Sequence, residues 1–536
     1  MEDGAVKRGA TMSRKLTDLN PDFDIIVIGG GITGAGVARE AAAAGLRTLL
    51  VEQKDYAWGT SSRSSKMVHG GLRYLAGGHI GLTRDAVRER QRMLDEAPGL
   101  VERMRYVMPH YRKRFPGPRL FGLVLAVYDF FAGERYRHRI QQTEMLQWLP
   151  GLSHRDLLGA TGFTDAVTED ARLVMRILDE ARSRGATTLN YVAATEVSKP
   201  GDRHWSVTLE DRGPGQSARR TVDATLVVNA TGAWADRLWP VKDRKEHIRP
   251  LRGSHLVLPF HRLPVSVALT IPHPRDKRPV FIYPWLGRTV VGTTDLDHRR
   301  DLDLEPAITS EEVGYLFEAA NSAYPGCSLD RGDIISTWSG VRPVVSSQDT
   351  SSDLSPSKEN REHVIWDDDG LISVAGGKLT TFRLIAREIL LTGTPYLNTL
   401  ALADESEPVF PPADGLPRPE TIRHLTWRRL QGQFGRHLPR LLEAGPLAEV
   451  PTTEYLWAEL HWAASHESVI HLDDLLLRRT RLGLILPGGG VDLLAELKQR
   501  LQPDLGWDDD HWAAEEQRYL TLWRTACFLP EESPEP

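Results

Sequence analysis

The chain of 536 residues has only two cysteines, Cys327 and Cys527. Two thiols so far apart in sequence build no disulfide framework, no Cys-rich zinc site and no iron–sulfur cluster, and they fit a reducing compartment. A basic excess is missing as well: 66 Lys and Arg stand against 72 Asp and Glu, a net charge of -6. Without a basic field, nucleic acid is excluded as the main partner. No run of 18 or more apolar residues occurs, so the sequence predicts no membrane-spanning helix. Its longest mostly apolar stretch, Leu120 to Phe131, has the length of a buried or an interfacial segment. The first residues lack the apolar core of a signal peptide, since Glu2, Asp3, Lys7, Arg8, Arg14, Lys15 and Asp18 are spread through them. Residues 1–20 read as a flexible tail. Internal repeats and long low-complexity tracts are absent too. What remains is 41% hydrophobic and 26% charged, a globular composition long enough for several domains.

Strand and helix periods interleave through most of the chain. Phe23 to Ile28 is a short apolar run stopped by glycines, a small-residue helix follows through Ala44, and Leu46 to Val51 reads as a second strand. Ala171, Val174, Met175, Leu178 and Ala181 recur at helical spacing, whereas Trp205 to Leu209 and Leu226 to Val228 look like strands. Thr309 and Glu312 form a capping box ahead of Val313, Leu316 and Phe317, between strand-like runs at Pro279–Tyr283, Thr289–Gly292 and Ile334–Trp338. Between Ser346 and His363 the chain turns polar and Ser-rich, which predicts a mobile loop. Five prolines between Ala403 and Glu420 mark a linker. Beyond it the apolar residues keep a helical period with few β signals. The fold class is therefore α/β: a Rossmann-like dinucleotide domain interleaved with an α+β, antiparallel-sheet substrate domain over 21–400, a linker over 401–420, and an all-helical domain over 421–536.

Gly29-Gly30-Gly31-Ile32-Thr33-Gly34 matches G-x-G-x-x-G between a strand and a helix. In that setting Gly29 permits a tight turn, Gly31 lets a pyrophosphate approach the backbone, and Gly34 lets helix and strand pack closely. Glu52, at the end of the next strand, is placed to accept from a ribose hydroxyl. The fingerprint does not separate FAD from NAD. A second complete copy is missing, because Gly488-Gly489-Gly490 lacks the third glycine, so one dinucleotide is expected.

A longer run follows: Gly59-Thr-Ser61-Ser62-Arg-Ser-Ser-Lys66-Met-Val-His69-Gly-Gly-Leu-Arg73-Tyr74. In order after it come Phe163-Thr-Asp165, Glu169-Asp-Ala-Arg172, Asn229-Ala-Thr231-Gly232-Ala-Trp234, Gly253-Ser-His255, Gly292-Thr-Thr-Asp295, Trp338-Ser-Gly-Val-Arg342-Pro343 and Gly376-Gly377-Lys378-Leu379-Thr380-Thr-Phe382. Over roughly Phe23 to Leu390 this series resembles the FAD-dependent glycerol-3-phosphate dehydrogenases, and the region around Trp457 to Arg481 has a counterpart in the same family. The resemblance implies FAD as cofactor and oxidation of sn-glycerol 3-phosphate to dihydroxyacetone phosphate. It implies re-oxidation by a membrane quinone, and an address in the cytoplasm on the inner face of the cell membrane. It is compatible with a homodimer. A dioxygen-using glycerol-3-phosphate oxidase, or a related FAD-dependent amine or amino-acid oxidase, would share much of the series. The chain departs from the family pattern at Phe382, where tyrosine is common, at Met67-Val68, and in a longer tail before Pro21.

By that resemblance Arg73, Tyr74, His255, Arg342 and Lys378 contact substrate, with His255, Arg342 and Lys378 as the catalytic set. Gly29, Gly31, Gly34, Glu52, Ser61, Ser62, Lys66, His69, Thr231, Gly232, Asp295, Gly377, Lys378, Leu379 and Thr380 hold FAD. The residue types suit the chemistry. Arg73 and Arg342 each present a planar fork to a phosphate and Lys378 adds a point charge. His255 and His69 are both candidate proton acceptors, because imidazole titrates near neutral pH. No metal is expected: Asp367-Asp368-Asp369-Gly370 lacks the spacing and the closing Glu of a calcium loop and reads as a turn. Arg112, Lys113, Arg114, Arg119, Arg135, Arg137 and Arg139 flank the apolar run Leu120–Phe131, a pattern that suits either an anionic membrane surface or a core helix with solvated ends.

Overall fold

The computed structural model describes residues 16–72, 75, 80–113, 115–215, 217–238, 248–345, 363–413 and 415–530. Arg73, Tyr74, residues 1–15 of the tail and 346–362 of the Ser-rich stretch lie outside the described residues.

Two sheets organise the chain. In the first, the order is Val364–Asp368, Leu371–Ala375, Arg219–Asn229, Asp22–Ile28, Thr48–Val51 and Thr187–Leu189. All these pairings are parallel except the first. Alternate residues of Asp22–Ile28 face opposite sides. Ile25 and Val27 pack with the helices Ile32–Ala43, Asp170–Ser183 and Phe382–Thr392, while Ile26 and Ile28 pack with Leu49, Val207 and Val227. Both faces are covered, which is why the strand reads as a continuous apolar run. Leu16 and Leu19 join the second of these clusters, so two leucines tie the exposed segment 16–20 to the core. Trp205–Asp211 extends this sheet by antiparallel pairing to Arg219–Asn229, and Val192–Ser198 pairs antiparallel with Trp205–Asp211 in turn. Asp367 and Asp368 close the strand Val364–Asp368 and pair with Ile372 and Leu371, so of the acidic run expected as a turn only Asp369 lies in one, with Gly370.

The second sheet has ten strands and carries the site. Its long members are Ile248–Pro259 and Ser336–Val345, paired antiparallel, and Val101–Tyr111 with Leu157–Thr168. One face is covered by the helix Ser310–Ala323, which starts at the expected Thr309–Glu312 capping box, and by Gln142–Trp148. The other face receives Leu125 of the helix Pro118–Ala132 and much of the C-terminal part.

The C-terminal part is helical, with His424–Phe434, Trp457–His466, Leu494–Leu505 and Asp509–Ala526 as its main helices. It does not stand apart. Trp457, Leu475 and Trp523 share a core cluster with Tyr283 and Trp338 of the second sheet. Arg478 and Arg479 pair with the buried Asp55, Arg481 with Glu169 and Asp170, and Arg172 reaches back to Glu467. The proline-rich segment also differs from a loose linker. It forms no helix or strand among the described residues, yet Val409 and Phe410 are buried. Its carbonyls at Glu405, Pro408 and Pro411 accept from Arg383, Arg39 and Arg176. Extended backbone that cannot bond itself is here satisfied by arginine side chains.

Candidate functional site

The glycines at the first turn shape a cradle. A Cβ on Gly34 would stand 1.9 Å from Gly29 O, so helix and strand pack only because it is absent. Gly29 has φ +114°, a conformation open to glycine. A Cβ on Gly31 would meet only Ser61 Oγ, at 3.1 Å, and its own space is the approach route to the N-terminus of the helix Ile32–Ala43. Glu52 is aimed by two amides, Gly30 N at 2.7 Å and Lys54 N at 2.9 Å, and burial pushes its carboxyl above the usual range.

A cavity of about 440 Å³ opens on this cradle. Gly29, Gly31, Glu52, Ser61, Thr231, Gly232, Gly377, Lys378 and Leu379 line it, together with Trp58 and Trp234. Asn229 Oδ1 holds Thr231 by its hydroxyl at 2.6 Å, and Gly232, at φ +63°, leaves open space where a Cβ would be. A loop over Asp301–Glu305 is tied to this wall: Trp234 Nε1 donates to Asp303 Oδ1 at 2.9 Å, Lys54 Nζ to Asp303 O at 2.6 Å, and Trp58 Nε1 to Glu305 Oε1 at 2.6 Å. No sequence motif pointed to that loop, whose partners are more than sixty residues away in the chain.

Other expected cofactor residues do not line the cavity. Gly34 lies behind it, packed on Gly29. Lys66 is buried, its ammonium 2.8 Å from Asp170 Oδ1 and near the rings of Trp285 and Trp338. Ser62 is buried on the side of Arg478 and Arg481. Thr380 donates to His69 O at 3.3 Å, so these two residues pin one loop to another. Asp295 is turned toward Arg342 and Arg278.

The residues expected at the substrate come from the second sheet. In the pairing of Ile248–Pro259 with Ser336–Val345, His255 lies opposite Trp338, Gly253 opposite Gly340, and Leu251 opposite Arg342. Side chains two apart share a face, so His255, Trp338 and Arg342 stand together. Glycines make the room: a Cβ on Gly253 would meet Arg342 Nη2 at 2.6 Å, one on Gly292 would meet His255 Cδ2 at 2.1 Å, and one on Gly340 would meet Arg63 O at 2.6 Å. Pro343, on the opposite face of the strand from Arg342, lines the cavity with Lys378, so the strand Ser336–Val345 borders the cradle.

His255 is 1% exposed and stacks on Trp338 with ring centroids 4.6 Å apart. Burial and the nearby cations Arg342 and Lys66 hold its pKa well below the ordinary imidazole value. Its Nε2 is 2.9 Å from Ser65 Oγ, a contact that no motif singled out. The serine loop is fastened to the sheet by Thr60 Oγ1 donating to Val341 O at 2.5 Å and Trp338 Nε1 donating to Ser64 O at 3.2 Å. His69, the other candidate base, lies on the same loop, and its carbonyl accepts from Thr380. Among the described residues no cluster of His, Cys, Asp and Glu could hold a metal, and no helix is long and apolar enough to cross a membrane.

Residues 24–388 match the family of FAD dependent oxidoreductases, and 388–512 match the C-terminal domain of alpha-glycerophosphate oxidase. Glycerol-3-phosphate dehydrogenase 2 of Mycobacterium tuberculosis is 32% identical over 94% of this chain and 88% of its own length. The chain belongs to the family of FAD-dependent glycerol-3-phosphate dehydrogenases. A second relative, the glycerol-3-phosphate dehydrogenase of Synechocystis, is 32% identical over 95% of this chain and 98% of its own. The crystal structure of the glycerol-3-phosphate dehydrogenase from Bacillus halodurans complexed with FAD superposes with a TM-score of 0.73, at 27% identity over 94% of this chain and 95% of that one. FAD is the cofactor of this family member. The cradle fits it: an open Gly31, an oriented ribose acid at Glu52 and a glycine-bordered cavity are what a dinucleotide needs.

Proposed function

We propose that the chain oxidises sn-glycerol 3-phosphate at C2 to dihydroxyacetone phosphate and that its electrons leave to a membrane quinone. The observation that carries the reading is His255, buried on the same sheet face as Arg342 and joined through Ser65 to the serine loop whose Ser64 lines the FAD cavity. Bound FAD supplies the hydride acceptor. Everything else falls to the chain's own side chains. A neutral imidazole is ready to take the hydroxyl proton, and His255 serves this purpose better than His69 because its ring is clamped between Trp338 and Gly292. Arg342 and Lys378 offer positive charge to a phosphate dianion, and Arg73 and Tyr74 complete the set by family resemblance. Fixing the phosphate orients C2, so the gain is one of positioning and charge.

The quinone reading draws on the helix Pro118–Ala132. Its inner side buries Leu125 and Tyr128, while Leu123 is 65% and Phe130 80% exposed, with Phe115 80% exposed just ahead of it. Arg112, Lys113, Arg119, Arg135 and Arg139 are exposed around this patch. An apolar surface ringed with cations fits peripheral attachment to an anionic membrane.

The test is the absorbance spectrum of the purified protein, recorded anaerobically before and after adding glycerol 3-phosphate. Bleaching of the oxidised flavin by that compound and not by glycerol, lactate or amino acids is the expected result, followed by faster re-oxidation with a soluble quinone than with air. A spectrum unmoved by glycerol 3-phosphate removes the substrate assignment. Equal or faster re-oxidation by dioxygen replaces the quinone with an oxidase reading.

A further inference from the structure

Both faces of the His255 ring are closed, one by Trp338 and the other by the backbone at Gly292. Only the edge remains. At that edge Ser65 Oγ is 2.9 Å from Nε2, and Ser65, unlike the fully buried histidine, is partly exposed, next to Ser64 on the cavity wall. Among the described residues Ser65 Oγ is the side-chain hydrogen-bond partner of Nε2, so a proton that reaches this nitrogen along a hydrogen bond comes from the serine hydroxyl.

The loop holds that hydroxyl from both neighbours. Ser64 donates to Asp170 Oδ2 from its amide at 3.0 Å and from its hydroxyl at 2.7 Å. Lys66 donates its amide to Ser64 Oγ at 2.9 Å and its ammonium to Asp170 Oδ1 at 2.8 Å. Two residues fastened to one buried carboxylate leave the residue between them little freedom. The charged groups acting on His255 are Arg342 from the paired strand, Lys66 from the loop and Asp170 from the helix behind it.

We propose that Ser65 relays the substrate's hydroxyl proton to His255, an inference that rests on reading His255 as the base. The O–H bond at C2 of the substrate breaks, its electron pair stays on that oxygen, and a new O–H bond forms at Ser65 Oγ. The serine's own proton passes to His255 Nε2. The histidine ends as imidazolium and the serine is regenerated, neither oxidised nor reduced.

The experiment is anaerobic stopped-flow reduction of the flavin by glycerol 3-phosphate, in mixtures of H2O and D2O, with wild type, Ser65→Ala and Ser65→Thr. Ser65→Ala is expected to slow the limiting reduction rate on the order of a hundredfold. Ser65→Thr, which keeps a hydroxyl, should recover most of it. Wild type should give a bowed dependence on deuterium fraction, from two protons in motion, and Ser65→Ala a linear one. Dihydroxyacetone phosphate, titrated through the flavin spectrum, should bind both variants as it binds wild type. A Ser65→Ala rate within twofold of wild type, or an equally bowed dependence on deuterium, overturns the relay. If Ser65→Ala yields no flavoprotein, the dependence in wild type and Ser65→Thr decides: a linear one in both overturns the relay, a bowed one in both supports it. A wild-type flavin that glycerol 3-phosphate does not bleach overturns the functional reading and the relay with it, whereas a bleaching wild type with an unaffected variant sinks the relay alone.

Discussion

Asp295 Oδ1 accepts from Arg342 Nη1 at 2.9 Å while Oδ2 faces Arg278 Nη2 at 3.1 Å, so one buried carboxylate holds two guanidinium groups. This geometry keeps the Arg342 fork in place. Asp295→Asn retains the shape and loses the charge. A hydrogen bond to a charged group contributes about 1.5–3 kcal/mol, which is roughly a ten- to hundredfold change in an equilibrium. The expected outcome is a KM for glycerol 3-phosphate raised by about that factor with a smaller fall in kcat, read from steady-state kinetics. A change in kcat alone would contradict a role in holding the phosphate.

His255 titrates below the ordinary imidazole value because burial and the cations Arg342 and Lys66 oppose its charged form. It is therefore neutral and competent at neutral pH, and flavin reduction should fail only as acid protonates it. Removing a neighbouring cation makes protonation easier. Arg342→Gln should thus move the acid limb of the rate profile to higher pH. Measuring kcat/KM for flavin reduction between about pH 5 and 9 checks the sign; a limb that moves to lower pH contradicts it.

Arg481 joins the C-terminal part to the loop beneath His255. Its guanidinium donates to Glu169 Oε2 at 2.8 Å and to Asp170, with both Arg481 and Asp170 fully buried. Removing one partner of such a pair strands the other charge and costs about 3–5 kcal/mol. Arg481→Met should lower stability in urea unfolding by less than that amount, because Lys66 remains as a cation on Asp170. Because Asp170 also anchors Ser64, the same variant should slow flavin reduction at temperatures where it is still folded.

Leu123 and Phe130 face outward on the helix Pro118–Ala132 and take no part in the core. Each apolar side chain transferred from water gives about 1.5–3 kcal/mol, so Leu123→Asp and Phe130→Asp should each weaken binding to vesicles rich in phosphatidylglycerol by on the order of tenfold or more. Flavin bleaching by glycerol 3-phosphate should not change. Co-sedimentation with vesicles reads the first effect, and equal sedimentation of variant and wild type would count against the membrane surface.

Local signals carried the first half of the fold and much of the cofactor cradle. The glycine spacing at Gly29–Gly34, the acid at Glu52 and the capping box at Thr309 each act within a few residues of themselves or one strand away, so periodicity and turn chemistry expose them. Ser65 and His255 are 190 residues apart, and their contact depends on a strand register that no local pattern states. For the same reason Lys66 read as a cofactor ligand although its charge is spent on Asp170, and Asp295 read as one although it faces two arginines. Among the described residues between Ala403 and Glu420 there is neither helix nor strand, as the prolines suggest, but nothing in the sequence showed that distant arginines would bind that backbone into the core.

The buried acids Asp55 and Asp170 lie early in the chain, and the arginines that neutralise them, Arg478, Arg479 and Arg481, lie near its end. On a ribosome the first of these charges emerges several hundred residues before its partners. A desolvated carboxylate without a cation is too costly to hold, so Asp55 stays in water until the C-terminal helices are made, whereas Asp170 already has Lys66. A product truncated before Arg478 would be left with Asp55 unpaired and the surface it is buried against exposed to proteases.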